Sequence, residues 1–218
     1  MTPPRPIEWA DRLAALYSPV VADVLDKLGF RNQCLRPRVR PLWPGAKAAG
    51  FALTVQTVPA REAAPPHPYA GELAAVDALA AGDVLVVSES AWSFWGELLS
   101  TAATFRKCRG VVLDGPTRDS DAIRAMGFPV FHHGFHPADS LGRLDVTAHN
   151  VPINCAGVLV HPGDLVLADH DGVVVVPHAV AEQTLALAEE KVSGENLVRA
   201  ALAAGMSTTE AFKKFGIL

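Results

Sequence analysis

The sequence predicts an α/β fold, a β-rich core with interleaved helices and a helical C-terminal arm. Three observations carry that prediction. Short apolar runs of strand type alternate with amphipathic helical segments through the middle of the chain, the pattern of βαβ units with some parallel pairing. From residue 144 to 177 short strands follow one another with only turn residues between them. After Pro177 the strand signals cease and helix-forming residues run to the end.

Taken in order, "SPVVADVLDKLG" (18–29) predicts a helix: Ser18 as N-cap, Pro19 at the first helical position, Val20, Val21, Val24, Leu25 and Leu28 at helical spacing, and Gly29 as the stop. "GFALTVQTV" (50–58) is β-branched and apolar between Gly50 and Pro59 and predicts a strand, whereas the proline-rich stretch after it is a loop. "ELAAVDALAAGDVLVVS" (72–88) reads as a short helix, a turn and a buried strand. Its Gly-Asp strand opener recurs in "HPGDLVLAD", which common turn chemistry explains better than an internal repeat. Next come a helix over 97–108, a strand over 110–114, a helix over 120–127 ended by Gly127, and a strand over 128–133. "DVTAHNVPI", "GVLV", "DLVLAD" and "GVVVVP" are the later strands, with "HDG" (170–172) a hairpin turn.

With 218 residues the chain fits one main domain, 1–218, because domains usually run about 100–200 residues. Half of the residues are hydrophobic and 19% are charged, an ordinary globular composition. A net charge of -4 gives no broad basic field for nucleic acid, and the arginine-rich "RNQCLRPRVR" is broken by Pro37. Apolar runs fall short of the roughly 18 residues of a membrane helix, and "MTPPRPIEW" lacks the apolar core of a leader. Cys34, Cys108 and Cys155 are odd in number and widely spaced, which fits reduced, buried thiols. A cytoplasmic protein that binds neither nucleic acid nor membrane is expected.

The chemistry concentrates in "GVVLDGPTRDSD" (110–121), where Arg118 and Asp119 follow a strand and a Gly115-Pro116 turn. That places them at a strand's carboxyl end, where open α/β sheets bind ligands. An arginine there holds a carboxylate through two parallel hydrogen bonds, and an adjacent aspartate holds a hard divalent cation through oxygen. The alternative is a surface turn whose charges cap the next helix. The helix after "SFWG" changes the weighing: Gly96 allows close backbone approach, and the amides of Glu97, Leu98 and Leu99 face an anion from a helix N-terminus. Glu97 either favours the helix dipole or hydrogen-bonds water at a cation.

Other motifs weigh less. "FHHGFH" invites zinc, but His132 and His133 alternate across a strand and no cysteine is at ligand spacing. "DHDG" opens like a calcium loop yet lacks the remaining ligands. Trp92 and Trp95 are either core aromatics or pocket walls. Asp23 and Asp26 are expected to face solvent, and Asp114 to brace the Arg118 turn.

The set "WGELLSTAA" (95–103), "GVVLDGPTRD" (110–119), "NVPINCAGVLVHPGDLVLADHDGVVVVP" (150–177) and "AFKKFGIL" (211–218) resembles the family of the regulator of ribonuclease activity A and the 4-hydroxy-4-methyl-2-oxoglutarate aldolases, from about residue 18 to the end. The resemblance implies a swivelling-type α/β fold, trimers or hexamers, and a class II pyruvate aldolase needing Mg²⁺ or Mn²⁺, with oxaloacetate decarboxylase activity. By that resemblance Arg118 binds the pyruvoyl group of a small 2-oxo acid. Asp119 is the direct metal ligand, Glu97 orients water at the metal, and Gly96 with the amides of Glu97, Leu98 and Leu99 completes the anion cradle. Many relatives carry Asp in place of Glu97. A further glutamate comes from a neighbouring subunit's C-terminal arm (179–218); Glu195 matches best, with Glu189 and Glu190 as alternatives. The same family includes proteins that bind and inhibit a ribonuclease, so a non-catalytic regulator is the competing expectation.

Overall fold

The structure, a computed structural model, describes residues 4–217. Residues 1–3 of the N-terminal stretch and 218 of the closing segment lie outside the described residues. The elements are α1 (Ile7–Ala14), α2 (Ser18–Lys27), β1 (Arg40–Pro41), β2 (Ala48–Pro59), α3 (Ala70–Asp77), β3 (Asp83–Val87), α4 (Glu97–Phe105), β4 (Gly110–Leu113), α5 (Ser120–Met126) and β5 (Val130–His132). They continue with β6 (Leu144–His149), β7 (Ile153–Cys155), β8 (Val158–Val160), β9 (Leu165–Ala168), β10 (Val173–Val176), α6 (Ala181–Ala203) and α7 (Thr208–Phe215). Among the described residues no helix is long and apolar enough to cross a membrane.

One sheet runs β1-β5-β4-β3-β2-β9-β10, and β6 joins it along the second half of β2. The strands β2, β3, β4 and β5 are parallel neighbours, while β1, β6, β9 and β10 pair antiparallel. β2 is long enough to change partners: Ala48–Phe51 pairs with β9 and Val55–Pro59 with β6, so the sheet curls around it. This is the swivelling-type α/β architecture that the resemblance implies.

Both faces of the sheet are buried, which is why its strands read as continuous apolar runs. Val84, Val86 and Val112 pack against the β7–β8 hairpin through Ile153, Cys155 and Val158. Leu85, Val87, Val111 and Leu113 point the other way, onto residues of α3, α4 and α5 such as Val76, Ala103 and Ile123. On the antiparallel wing Leu165, Leu167, Val174 and Val176 are covered by α1, α2 and the first half of α6.

Two expectations need correction, and one helix was not expected. The segment 7–14, absent from the motifs above, forms α1 and buries Ala10 and Leu13; the prolines before it mask the start. Ser18 is not an N-cap. The α2 helix starts one residue earlier, at cap position Tyr17, and Asp169 of the β9–β10 turn accepts from both the Ser18 amide (2.7 Å) and its hydroxyl (2.6 Å). A carboxylate distant in sequence thus replaces the local cap, and "DHDG" is the expected hairpin turn, with Val173 opposite Ala168. Cys34 is exposed, unlike Cys108 and Cys155, because it sits in the irregular segment after α2. The two Gly-Asp openers share one turn device: Asp83 accepts from the Ala80 amide at 2.9 Å and Asp164 from the His161 amide at 2.8 Å.

Candidate functional site

Past Leu113 the chain leaves β4 but stays in line with it. Thr117 bridges in parallel to Trp95 on one side and to Phe135 on the other. Its amide donates to the Gly134 carbonyl at 3.0 Å, and its hydroxyl and the Arg118 amide both donate to the Trp95 carbonyl, at 3.0 and 3.1 Å. Trp95 is itself fully buried between Phe94 and Phe128, with its indole N–H donating to Ser100 Oγ at 2.8 Å. It is a core aromatic that fixes the floor on which Arg118 and Asp119 stand.

Asp119 occupies the left-handed region (φ 55°, ψ 32°) at the cap position of α5, and its side chain makes no capping bond there. Aspartate tolerates this conformation better than most residues. The carboxylate turns instead to the start of α4, where Oδ2 accepts from the Glu97 amide at 3.1 Å. Gly96 makes that approach possible, since a Cβ there would lie 2.5 Å from Asp119 Oδ2 and 3.4 Å from Arg118 Nε. The capping alternative weighed for the Arg-Asp pair is therefore not what the structure shows.

The Arg118 guanidinium lies between two carboxylates, Nε 3.8 Å from Asp119 and Nη1 3.9 Å from Asp139. Both separations exceed hydrogen-bond length. Among the described residues the fork's donors are uncommitted, and two-fifths of the side chain is exposed. Two cavities meet at this pair. One, about 60 Å³, is lined by Gly96, Leu98, Leu99, Arg118, Asp119 and Asp139, with Tyr69, Glu72 and Ser140. The other, about 320 Å³, is lined by Arg118, Asp119, Phe135 and His136.

Of the three amides expected to face an anion, that of Glu97 already has Asp119 as acceptor. The Leu98 and Leu99 amides, lacking helix carbonyls to bond, remain at the N-terminus of α4. The Glu97 carboxylate is partly exposed and accepts from Thr101 Oγ1 at 2.9 Å, one turn along its own helix. The C-terminal glutamates are on α6, which packs on α1 and α2 of the same chain. Glu195 accepts from the Tyr17 hydroxyl and pairs with Lys191 Nζ at 3.0 Å. Burial pushes its carboxyl up, but these two donors outweigh that and hold it below the usual range. Glu189 takes two hydrogen bonds from Arg12, at 2.7 and 2.8 Å, which lower its pKa, and Glu190 is exposed.

Asp114 does not brace the Arg118 turn with its side chain. Its carboxylate accepts from Arg38 at 2.6 Å and from the Ala156 amide at 2.8 Å, tying β4 to the β7–β8 turn. His132 is buried, with Nδ1 2.6 Å from the Gly134 carbonyl, and burial lowers its pKa; His133 points away toward Asp114 at 3.7 Å. Trp92 is half-buried, edge-on to His136 and 5.3 Å below the Arg143 guanidinium, in the wall of a separate cavity of about 480 Å³. Asp23 is exposed, as expected, and pairs with Lys191.

The sequence reading missed a second group of side chains at this corner. Asp139 accepts from the Tyr69 hydroxyl at 2.6 Å and faces Arg143 at 3.3 Å. Glu72, buried in α3, accepts from Ser140 Oγ at 2.7 Å. Burial pushes the Glu72 carboxyl up to about 7, against the opposing effect of the Ser140 hydrogen bond. These residues come from 69–72 and 139–140, so no local spacing unites them. The one available signal was a charged residue on the buried face of an alanine-rich helix.

Among the described residues no group of three or more His, Cys, Asp and Glu is arranged to hold a metal. The oxygen donors open to a cation at the corner are Asp119 and, next to it, Glu97, since Asp139 already accepts from Tyr69 and Arg143. That set fits a hard, largely hydrated cation of the Mg²⁺ type, which takes one or two carboxylates, and not zinc, which takes three or four protein ligands.

Fold and site together define an α/β protein with an arginine–aspartate corner at the carboxyl ends of parallel strands. The chain belongs to the family described as RraA-like (Aldolase/RraA), which matches residues 18–175. A protein of Halalkalibacterium halodurans named "Putative 4-hydroxy-4-methyl-2-oxoglutarate aldolase" is 31% identical over 188 residues, 85% of this chain and 84% of its own. Protein DlpA of Legionella pneumophila is 29% identical over 88% of this chain, which spans only 31% of DlpA. Among solved structures, Streptomyces coelicolor RraAS2, described as an unusual member of the RNase ES inhibitor RraA protein family, superposes with a TM-score of 0.80 at 33% identity, covering 90% of this chain and 98% of that one. A Pseudomonas syringae pv. tomato protein reaches 0.88 at 27% identity, covering 99% and 97%.

Proposed function

We propose that this chain is a divalent-metal-dependent carbon–carbon lyase acting on short 2-oxo acids. It would cleave 4-hydroxy-2-oxo acids of the 4-hydroxy-4-methyl-2-oxoglutarate type and decarboxylate oxaloacetate. The observation that carries this reading is that Asp119 leaves its own helix uncapped and turns to the Gly96–Glu97 helix start, beside an Arg118 fork with no hydrogen-bonded partner.

In this reading the guanidinium of Arg118 grips the substrate carboxylate or carbonyl in a two-pronged contact, and the Leu98 and Leu99 amides add their dipoles. Both reactions break the bond beyond the carbon next to the oxo group and leave the same pyruvate enolate. Positive charge fixed where the enolate oxygen develops lowers that barrier. Mg²⁺ or Mn²⁺, held by Asp119 with Glu97 beside it, would supply Lewis-acid charge when bound. A water held by Glu97 and by a glutamate from a neighbouring copy's arm, Glu195 before Glu189 or Glu190, carries the proton off the 4-hydroxyl. The site is then shared between copies in a trimer or hexamer.

A second reading, a ribonuclease-binding regulator, is favoured by the likeness to RraAS2 and by the exposed Leu98 and Phe135 around the corner. Pyruvate release from oxaloacetate, measured with Mg²⁺, with Mn²⁺ and with EDTA, separates the two. Metal-dependent release supports the lyase. Silence of a folded sample across several 2-oxo acids overturns it in favour of the regulator.

A further inference from the structure

We infer that Glu72 is a second proton-carrying residue of this site, the group that gives a proton to, and takes it from, the carbon next to the oxo group. The inference rests on the lyase reading above and adds to it a residue which that reading does not use.

Retro-aldol cleavage needs two proton transfers, one off the hydroxyl and one onto the enolate carbon. Glu97 and its water serve the first. For the second, the Arg118 pocket holds another carboxyl. Glu72 lines the same cavity of about 60 Å³ as Arg118 and Gly96, yet comes from α3, a different element from those that carry Arg118 and Glu97. It also lines, with Tyr69 and Ser140, a neighbouring cavity of about 380 Å³ that opens the way to solvent protons. Its side chain is 8% exposed and, among the described residues, its one hydrogen bond is from Ser140, with no lysine or arginine in ion-pair contact.

A carboxyl so placed has one neutral donor, Ser140, and without a counter-ion its neutral form is favoured. The charged groups around it pull in opposite directions: Asp139 disfavours a second negative charge and Arg118 favours one. On the outer side Asp145, His67 and Arg61 share the larger cavity with it. With a pKa near 7, both protonation states are populated at neutral pH, the condition for efficient proton transfer.

In decarboxylation, loss of carbon dioxide leaves the electron pair of the broken carbon–carbon bond in the enolate. That carbon takes the Glu72 proton: the C–H bond forms, the O–H pair stays on the carboxylate, the carbonyl is restored, and water then reprotonates Glu72. On pyruvate the carboxylate form runs the step backwards and removes a methyl proton.

The test is exchange of the pyruvate methyl protons for deuterium in D₂O with Mg²⁺, followed by NMR on the full chain. Glu72→Gln keeps the shape and an acceptor for Ser140; it should bind pyruvate by calorimetry as wild type does while exchange falls at least about 100-fold, the usual worth of a general acid–base group. Exchange by wild type should rise with pH through an inflection near 7. Ser140→Ala, which removes the donor that favours the charged form, should move that inflection to higher pH, a response no purely structural role produces. Exchange in Glu72→Gln within a few-fold of wild type, or an unmoved inflection in Ser140→Ala, overturns the inference. Should Glu72→Gln not fold, the Ser140→Ala profile decides alone. If wild type neither exchanges pyruvate protons nor releases pyruvate from oxaloacetate, the lyase reading falls and this inference with it; an active wild type with an unimpaired Glu72→Gln removes this inference only.

Discussion

Replacing Glu72 with glutamine should stabilise the folded protein, and only above a particular pH. The folded-state pKa of Glu72 is raised from 4.5 to about 7, chiefly by burial. The native protein therefore binds a proton that the unfolded chain has released between those values, and stability falls as pH rises through that window. At about 1.4 kcal/mol per tenfold, the full gap is worth at most about 3 kcal/mol. Glutamine is neutral throughout and escapes the loss. The linkage relation gives a difference between variant and wild type of under about 1 kcal/mol at pH 5, growing to about 3 kcal/mol at pH 8.5. For a chain of this length that is roughly 6–12 °C in melting temperature. Urea unfolding followed by tryptophan fluorescence at both pH values and one protein concentration measures it, with other carboxylates cancelling in the comparison. A difference that is the same at pH 5 and pH 8.5, or a less stable glutamine variant at pH 8.5, would refute the claim that Glu72 is held neutral by burial.

Three further outcomes follow from the corner itself. Asp119→Ala should abolish Mg²⁺ binding by calorimetry while the circular dichroism spectrum is unchanged, because the side chain makes no cap bond to α5 and the one helix amide it accepts from, that of Glu97, lies at the exposed start of α4. Gly96→Ala places a Cβ 2.5 Å from Asp119 Oδ2 and must displace that carboxylate; oxaloacetate turnover should drop about 100-fold, the cost of an ångström-scale misplacement, with little change in the urea midpoint. Arg118→Lys keeps the charge but loses the planar fork, and kcat/KM for oxaloacetate should fall by about 100-fold or more; equal rates would remove Arg118 from the role given to it.

The parallel centre of the fold was legible because both faces of β3 and β4 are buried, so "VLVV" and "GVVL" read as strands whatever lies around them. The helix after "SFWG" was legible from Gly96. Harder to read was anything set by partners distant in sequence. Ser18 has the residue type and position of an N-cap, but Asp169, 151 residues away, takes its donors. Asp114 looked bound to the Arg118 turn by proximity, whereas its carboxylate reaches Arg38 and Ala156 across the sheet. At the candidate site the pair Arg118–Asp119 and its glycine were visible because one turn and one helix start bring them together. The Glu72–Ser140 and Tyr69–Asp139 pairs were invisible for the opposite reason, joined only when α3 and the 137–143 loop close on the same cavity.

The central claim is that Arg118 and Asp119 hold a small 2-oxo acid and its cation as one unit. Calorimetric titration of pyruvate into the protein with Mg²⁺ and with EDTA, and of Mg²⁺ with and without pyruvate, tests it most directly. Each ligand should tighten the other by the same factor, as linkage requires, and Asp119→Ala should lose the coupling. Pyruvate affinity that is indifferent to Mg²⁺ would contradict the account.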